Sequence, residues 1–272
     1  MKKQKFLIAI DLDGTLIQHF DQIDKKSFKY LKKIAKKHYV VLATGRPYRS
    51  TKKYYDLLKL KTPIVNYNGA LVHNPSDLLF PKHMETINRQ HIFTIIRDNK
   101  DIILNIFSEV EDDIYLWKQD DSIKHYLHKD GGNLHIGEFE EILHENPNGA
   151  IVFSKNGSES KLANYISNKF TNEFKIRFWK SDSFVISEIY SHNTSKAVGL
   201  KHIAEYYDIK IKNTIAIGDG HNDIEMIEYV NTGIAMGNSH SELLAKANIL
   251  TDTVDNHGVY KVLKKLKKEK QL

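Results

Sequence analysis

One stretch near the start of the chain decides its fold: Phe6-Leu7-Ile8-Ala9-Ile10-Asp11-Leu12-Asp13-Gly14-Thr15-Leu16. Its first five residues are apolar without a polar break, which is typical of a strand buried on both faces. Because ligands of open α/β sheets bind at the carboxyl ends of the strands, Asp11 and Asp13 are predicted to lie where chemistry takes place. Two carboxylates this close repel each other unless a cation lies between them or one is protonated. Alone, Asp-x-Asp-Gly also fits an ordinary turn.

Two other apolar runs end in the same way. Residues 39–43 are followed by Thr44-Gly45-Arg46-Pro47, and residues 213–217 by Gly218-Asp219-Gly220-His221-Asn222-Asp223. Helices are predicted over 24–37, with Asp24 as its N-cap, and over about 50–60, with a third short strand at 63–66. This β-α-β-α-β alternation predicts an α/β fold with a doubly wound, Rossmann-like parallel sheet.

The middle of the chain has a different pattern. From about Pro81, short strands show half-buried alternation instead of long apolar runs, which favours an antiparallel sheet with helices on one side. We therefore predict a catalytic core formed by residues 1–82 and 188–272, and an inserted α/β domain formed by residues 83–187. His125 and His128 in this insert have no convincing third metal ligand, and they are interpreted as solvated loop residues.

A lysine near the start of another predicted helix is unusual. The segment 194–207 carries apolar residues on one face and has Lys196 in its first turn. A cation there is disfavoured by the helix macrodipole, at roughly 0.3–1 kcal/mol. Two interpretations remain open: a surface lysine that tolerates this cost, or a lysine that helps to hold an anion at the helix end.

Composition narrows the function. The 272 residues carry a net charge of +6, but the lysines are interleaved with 34 acids, so we do not expect nucleic acid as a partner. The densest lysine run closes the chain and is interpreted as the solvated face of a terminal helix. Cysteine is absent, which excludes disulfides and thiolate metal sites. No apolar segment reaches the ~20 residues of a membrane span or resembles a signal peptide, so a cytoplasmic location is expected.

Four motifs together resemble those of the haloacid dehalogenase superfamily, and most closely its Cof-type phosphatases. They occur in the family's order: Asp11-Leu12-Asp13-Gly14-Thr15-Leu16, Ala43-Thr44-Gly45-Arg46, Lys196, and Gly218-Asp219-Gly220-His221-Asn222-Asp223. The segments Asn68-Gly69-Ala70 and Ala235-Met236-Gly237-Asn238 are also similar to the Cof-type pattern. The insert has the position and size of the cap domain in that subfamily. Ala197 and His257 depart from the pattern, since a glycine and an acid are common there.

The resemblance implies a role for each motif residue. Asp11 would be the nucleophile, and Asp13 the general acid and base. Thr44 and Lys196 would hold the phosphoryl oxygens. The backbone amides of Leu12 and Gly45 would be further phosphate donors. Mg²⁺ would be held by Asp11, by the Asp13 carbonyl and by Asp219, and Asn222 and Asp223 would support phosphate and metal.

The expected function is therefore a Mg²⁺-dependent phosphatase of small phosphorylated metabolites, such as sugar phosphates or phosphorylated cofactors. Oxygen-only ligands suit Mg²⁺, and a phosphate dianion must be neutralised before a carboxylate attacks it. Alternatives on the same core are a phosphomutase, a dedicated sugar-phosphate phosphatase, or a binding protein that lacks catalysis. The substrate and the oligomeric state are not indicated by any motif.

Overall fold

The computed structural model describes residues 4–18 and 22–272. The strands of this part of the chain are β1 (Leu7–Ile10), β2 (Tyr39–Leu42), β3 (Ile64–Asn66), β4 (Leu71–His73), β5 (His83–Met84), β6 (Ile103–Val110), β7 (Asp113–Leu116), β8 (Leu134–Ile136), β9 (Gly149–Ser154), β10 (Phe174–Lys180), β11 (Val185–Ser191), β12 (Thr214–Gly218), β13 (Thr232–Ala235) and β14 (Ile249–Leu250).

The helices are α1 (Lys25–Ile34), α2 (Tyr48–Leu58), α3 (Arg89–Asp98), α4 (Phe139–Ile142), α5 (Glu159–Lys169), α6 (Lys196–Tyr206), α7 (Ile224–Tyr229), α8 (Ser241–Lys246) and α9 (Gly258–Lys268). Short 3₁₀ helices cover Tyr67–Gly69, Asp121–Leu127, Ile211–Asn213 and His221–Asp223. None of the helices in the described ranges is long and apolar enough to cross a membrane.

By its internal contacts the described chain divides into two units. The core unit comprises Met1–Arg46, Thr51–His83 and Ser195–Leu272, and the inserted unit comprises Pro47–Ser50 and Met84–Thr194. The boundary predicted after residue 187 falls inside β11, which pairs with β10 as far as Ser191 and with β9 as far as Tyr190. The last strand of the insert thus carries the second unit a few residues further than its hydrophobic pattern indicates.

The core unit contains a five-stranded parallel sheet in the order β14-β13-β12-β1-β2. β1 lies between β12 and β2, with Leu7 opposite Thr214 and Tyr39. All four residues of β1 are buried, as its continuous apolar run predicts. Leu7 and Ala9 belong to a cluster with residues of α6, α7 and α8, and Ile8 and Ile10 point to the opposite face. The predicted doubly wound parallel sheet is confirmed.

β3 differs from the prediction of a third parallel strand. It pairs antiparallel with β4, which the sequence did not indicate, and an isolated parallel bridge joins its Val65 to Ala43, the residue after β2. The turn between the two strands explains the difference: Tyr67, Asn68 and Gly69 all have positive φ, at 50°, 54° and 106°. This short turn reverses the chain, so β3 and β4 are antiparallel. A parallel pair would need a longer crossover connection.

The inserted unit contains a six-stranded sheet in the order β10-β11-β9-β6-β7-β8. Its pairs are antiparallel except β7 and β8, so the prediction of an antiparallel sheet is correct for most of it and wrong at that edge. One face packs on α3 and α5 through Ile92, Ile96, Leu162 and Ile166. The 3₁₀ helix Asp121–Leu127 covers part of the other face and contains His125, which was predicted in a loop; His125 and His128 are both exposed.

The N-terminus of α1 is tied to that of α9 by one buried carboxylate. Asp24 is the N-cap of α1, as predicted, and accepts hydrogen bonds from Lys26 N and Ser27 N at 3.0 and 3.2 Å. Its Oδ1 also lies 2.8 Å from Nδ1 of His257, the residue before α9. Ser27 Oγ accepts from Tyr260 N at 3.0 Å. His257, which departs from the Cof-type pattern, thus has a structural partner here.

Replacement of Asp24 is expected to destabilise the core unit. Asp24→Ala removes a helix cap and leaves buried donors without an acceptor, so the free energy of unfolding should fall by about 2–3 kcal/mol. Asp24→Asn keeps an oxygen for the cap but loses the charge opposite His257 and the acceptor of the Ser27 hydroxyl, so it should fall by less, about 1 kcal/mol. Urea unfolding of the three proteins measures both values, and equal losses in the two variants would contradict the capping role.

Candidate active site

The predicted site residues lie at the carboxyl ends of three neighbouring strands and at the start of α6. Asp11 follows β1, Thr44 follows β2, and Asp219 follows β12. Since β12, β1 and β2 are adjacent in the parallel sheet, their carboxyl ends meet at one edge. All of these residues belong to the core unit.

Lys196 is the centre of the site. Its side chain is fully buried, and Nζ donates to Asp11 Oδ1 at 2.5 Å and to Asp223 Oδ1 at 2.6 Å. Burial alone lowers the pKa of this ammonium, but the Asp11 and Asp223 carboxylates raise the pKa by more, so it stays protonated. The interpretation of Lys196 as a surface lysine is therefore wrong. Two carboxylates offset the unfavourable helix-end position.

Three carboxylates gather around this lysine. Oxygen atoms of Asp11, Asp219 and Asp223 lie within 4.8 Å of one another, which makes them a candidate cation site among the described residues. Burial raises the pKa of Asp11 well above its ordinary value, and Asp223 raises it further while Lys196 opposes both. Burial also raises the pKa of Asp219 to about 7; the hydrogen bond from Thr15 opposes this shift, and the Asp223 charge adds to it.

Asp219 is positioned by neighbours that the motif analysis did not assign. Thr15 Oγ1 donates to Asp219 Oδ1 at 2.8 Å, and Asn238 Nδ2 lies 3.4 Å from Oδ2 and donates to Gly14 O at 2.9 Å. Gly14 has φ +78°, and a Cβ there would lie 2.2 Å from Asp219 Oδ2. Glycine is thus required both by the turn and by the close approach of this carboxylate.

Asp223 has both carboxylate oxygens engaged. Oδ1 accepts from Lys196, and Oδ2 accepts from Asp219 N at 3.0 Å and Gly220 N at 2.9 Å. The backbone donors belong to the turn between β12 and the 3₁₀ helix His221–Asp223. Asp223 therefore fixes the backbone that carries Asp219 as well as the lysine.

Thr44 and Gly45 form a second part of the site. Thr44 is fully buried, and its Oγ1 accepts a hydrogen bond from Arg46 N at 3.1 Å. The O–H of Thr44 therefore points away from Arg46 N and can donate to another group. The N–H groups of Leu12 and Gly45 donate to no acceptor within residues 4–18 and 22–272. Backbone donors without an acceptor beside a buried hydroxyl are a pattern typical of anion sites.

Asn222 is held by Asn68, which lies in the 3₁₀ helix that follows β3. Its Nδ2 donates to Asn68 Oδ1 at 2.8 Å, and Asn68 N donates to Thr44 O at 3.0 Å. Asn68 is buried with φ 54°, and such strain in a non-glycine residue persists only where the surroundings enforce it. The sequence indicated Asn68 only as part of a segment similar to the Cof-type pattern. The structure adds that it connects Asn222 with Thr44.

The Asp13 side chain lies apart from the other carboxylates. It accepts from Arg46 Nε at 2.8 Å and from Arg46 Nη2 at 2.5 Å, a bidentate ion pair. Its side chain is 52% exposed, whereas that of Arg46 is 14% exposed. In the sequence, Arg46 belongs to one of the four motifs of the resemblance, which assigns it no partner. The pair joins two strand ends that are 33 residues apart.

The chain is similar to known proteins over most of its length. A family model described as haloacid dehalogenase-like hydrolase matches residues 8–263. The chain is 33% identical over 266 residues to the 5-amino-6-(5-phospho-D-ribitylamino)uracil phosphatase YitU of Bacillus subtilis, covering 97% of this chain and 98% of the relative. It is 24% identical over 260 residues to the B. subtilis phosphatase YcsE, named for the same compound, covering 95% and 94%. A crystal structure of a haloacid dehalogenase-like hydrolase from Bacteroides thetaiotaomicron is similar with a TM-score of 0.82 and 22% identity, covering 97% of this chain and all of that one.

Proposed function

The chain belongs to the haloacid dehalogenase-like hydrolase family, and from that membership we propose that it is a Mg²⁺-dependent phosphatase that hydrolyses small phosphorylated metabolites through an aspartyl-phosphate. The observation that carries this proposal is the buried contact of Lys196 with Asp11, beside Asp219 and Asp223. It combines a carboxylate nucleophile, a fixed positive charge and a candidate cation site at one edge of the sheet.

The residues present fit a magnesium ion. The three carboxylates, when ionised, and the Lys196 ammonium together carry a charge of −2, which one divalent cation neutralises. The donors are oxygen atoms only, which suits Mg²⁺. Asp11, Asp219 and the Asp13 carbonyl would hold the ion. When bound, Mg²⁺ would polarise the phosphoryl oxygens as a Lewis acid. Asp223 is proposed to support the site without direct ligation, because both of its oxygens already accept hydrogen bonds.

The phosphoryl group would be bound by donors on the chain itself. Lys196 Nζ, the Thr44 hydroxyl and the N–H groups of Leu12 and Gly45 offer both charge and direction. Asn222 would complete the cradle from the other side, in an orientation fixed by Asn68. Donors aimed where negative charge develops are worth most in a buried site such as this one.

The proposed reaction has two steps. In the first, a carboxylate oxygen of Asp11 attacks phosphorus, the bond from phosphorus to the leaving oxygen breaks, and Asp13 gives a proton to that oxygen. In the second, Asp13 takes a proton from water, the water oxygen attacks phosphorus, and the Asp11 carboxylate leaves. Phosphate and the alcohol are the products. Proton transfer by such a group contributes typically ~10²–10⁴-fold.

The substrate proposed first is 5-amino-6-(5-phospho-D-ribitylamino)uracil. Two relatives that cover nearly the whole chain are named for it, and one of them is 33% identical. We further propose that the predicted domains have the roles of catalytic core (1–82 and 188–272) and cap (83–187), with selection of the leaving alcohol in the cap.

Phosphate release from a panel of phosphorylated metabolites tests the function. We expect turnover with Mg²⁺, none with excess chelator, and recovery when Mg²⁺ is restored. Asp219→Asn should lower activity by roughly 10²-fold or more, because it removes one charge from the cation site. Glu269→Gln, an exposed acid just after α9, is the matched control and should leave activity unchanged. Full activity in chelator would refute the metal site, and release from no member of the panel would refute the phosphatase.

A further inference from the structure

One contact of the core unit is left unexplained by the proposed reaction. Asp13 is the proposed proton-transfer group. Its side chain is half exposed, but it is held by Arg46. Both of its oxygens accept from the guanidinium of Arg46, at 2.5 and 2.8 Å. A bidentate contact of this kind fixes the plane of the carboxylate as well as its position.

Arg46 is itself held by three elements of the core unit. Its backbone N donates to Thr44 Oγ1 at 3.1 Å, and its carbonyl accepts from Asn66 Nδ2 at 2.9 Å and from Tyr67 N at 3.3 Å. Its guanidinium carbon lies 6.0 Å from the centre of the Tyr54 ring. These contacts fix the backbone of Arg46, and its side chain is far less exposed than that of Asp13, so Arg46 is the more fixed partner of the pair.

The pair keeps Asp13 out of the carboxylate cluster. Asp11, Asp219 and Asp223 have oxygens within 4.8 Å of one another, and Asp13 contributes no side-chain oxygen to that group. A group that protonates the leaving oxygen must reach that oxygen and not the cation. The guanidinium contacts both oxygens of the carboxylate, which is the form of Asp13 that accepts the proton of the attacking water in the second step.

We propose that Arg46 is the positioning residue for Asp13: its guanidinium holds the Asp13 carboxyl group in the orientation for proton exchange with the leaving oxygen and the attacking water. This inference rests on the proposed function. The competing role for Arg46 is direct binding of the phosphoryl group, which all substrates share.

Leaving-group dependence separates the two roles. An aryl phosphate leaves readily without a proton, whereas an alkyl phosphate needs one, so loss of proton transfer lowers kcat/KM for the alkyl substrate selectively. The ratio kcat/KM reports the first step, and kcat also contains hydrolysis of the phosphoenzyme, which needs Asp13 for every substrate. A merely structural role of Arg46 would change both substrates by one factor.

The test uses Arg46→Met, Arg46→Lys, Asp13→Asn and the double variant Asp13→Asn/Arg46→Met, with an alkyl and an aryl phosphate. Arg46→Met should lower kcat/KM for the alkyl phosphate by roughly 10–100-fold, since a small misplacement of a catalytic group has effects of this size, and for the aryl phosphate by less than about 3-fold. Arg46→Lys, which keeps the charge and loses the fork, should lie between Arg46→Met and the wild type. The double variant should match Asp13→Asn, because Arg46 then has no proton donor to position.

Three results would overturn the inference. Equal losses for both substrates in Arg46→Met and Arg46→Lys, or losses that multiply with those of Asp13→Asn, would assign Arg46 to phosphate binding or to a merely structural role. Absence of phosphatase activity in the wild type would refute the proposed function and the inference with it. If the wild type is active and Asp11→Asn is not, the proposed function stands. The arginine variants then test the inference alone. If Arg46→Met fails to fold, Arg46→Lys and Asp13→Asn still give the comparison.

Discussion

Asp11→Asn is expected to abolish turnover of every phosphorylated substrate, by at least ~10⁴-fold, while the protein stays folded. An amide cannot attack phosphorus, and a covalent mechanism loses its first step when the nucleophile is removed. Asparagine has the shape of aspartic acid and retains an oxygen that accepts from Lys196. The fold should therefore survive, which thermal unfolding checks. Steady-state phosphate release measures the effect.

Asp13→Asn is the matched control for this prediction. It removes the proton-transfer group and leaves the nucleophile, so an aryl phosphate should still phosphorylate Asp11 while water attack becomes slow. The phosphoenzyme should accumulate and be visible in the intact mass of the protein. Measurable turnover in Asp11→Asn, with deamidation and wild-type contamination excluded, would refute the nucleophile. A long-lived phosphoenzyme in the wild type would indicate a phosphomutase.

Lys196→Met is expected to have the largest effect on stability. The variant leaves Asp11 and Asp223 buried without their shared ammonium, so the free energy of unfolding at neutral pH should fall by about 3–5 kcal/mol. Activity should fall with it, because the fixed charge at the phosphoryl group is gone. Lys201→Met, an exposed lysine on the same helix, is the matched control and should be within about 0.5 kcal/mol of the wild type.

The loss in Lys196→Met should depend on pH in a defined direction. Burial already raises the pKa of Asp11, and Lys196 opposes this, so its removal raises that pKa further. The folded variant then binds more protons than the unfolded chain, whose aspartates titrate near ~3.9. Its stability should therefore rise as pH falls from 8 toward 5, more steeply than that of the wild type. Urea unfolding in chelator across this range measures it, and parallel curves would contradict a buried ion pair.

Much of the core could be predicted from the sequence because its signals are local. The apolar run of β1 and the polar residues after it indicate a buried parallel strand with a site at its end. Asp24 before an amphipathic helix indicates a cap, and the structure confirms it. The position of Lys196 was also informative, because a cation in the first turn of a helix is unfavourable unless an anion lies nearby.

The contacts that distinguish the site could not be predicted, because they join distant residues. Nothing near Arg46 indicates that its guanidinium contacts Asp13, since the pair depends on how two strand ends meet. Asn68 takes its place through a turn with three positive φ values, which an Asn-Gly pair only partly signals. β8 has three residues, of which two are exposed, so the sequence carries no hydrophobic pattern that would predict its parallel pairing with β7.

The sheet of the core unit also sets the order in which the protein can assemble during synthesis. β1 leaves the ribosome long before its neighbour β12, which begins at Thr214. The lysine that contacts Asp11 lies 185 residues after it. Residues 84–194 form a continuous stretch with its own apolar clusters, so this unit can fold while β1 still lacks one partner. A translational pause before β12 is made would therefore leave an apolar strand edge open to aggregation, and the ion pairs of the active site would be among the last contacts to form.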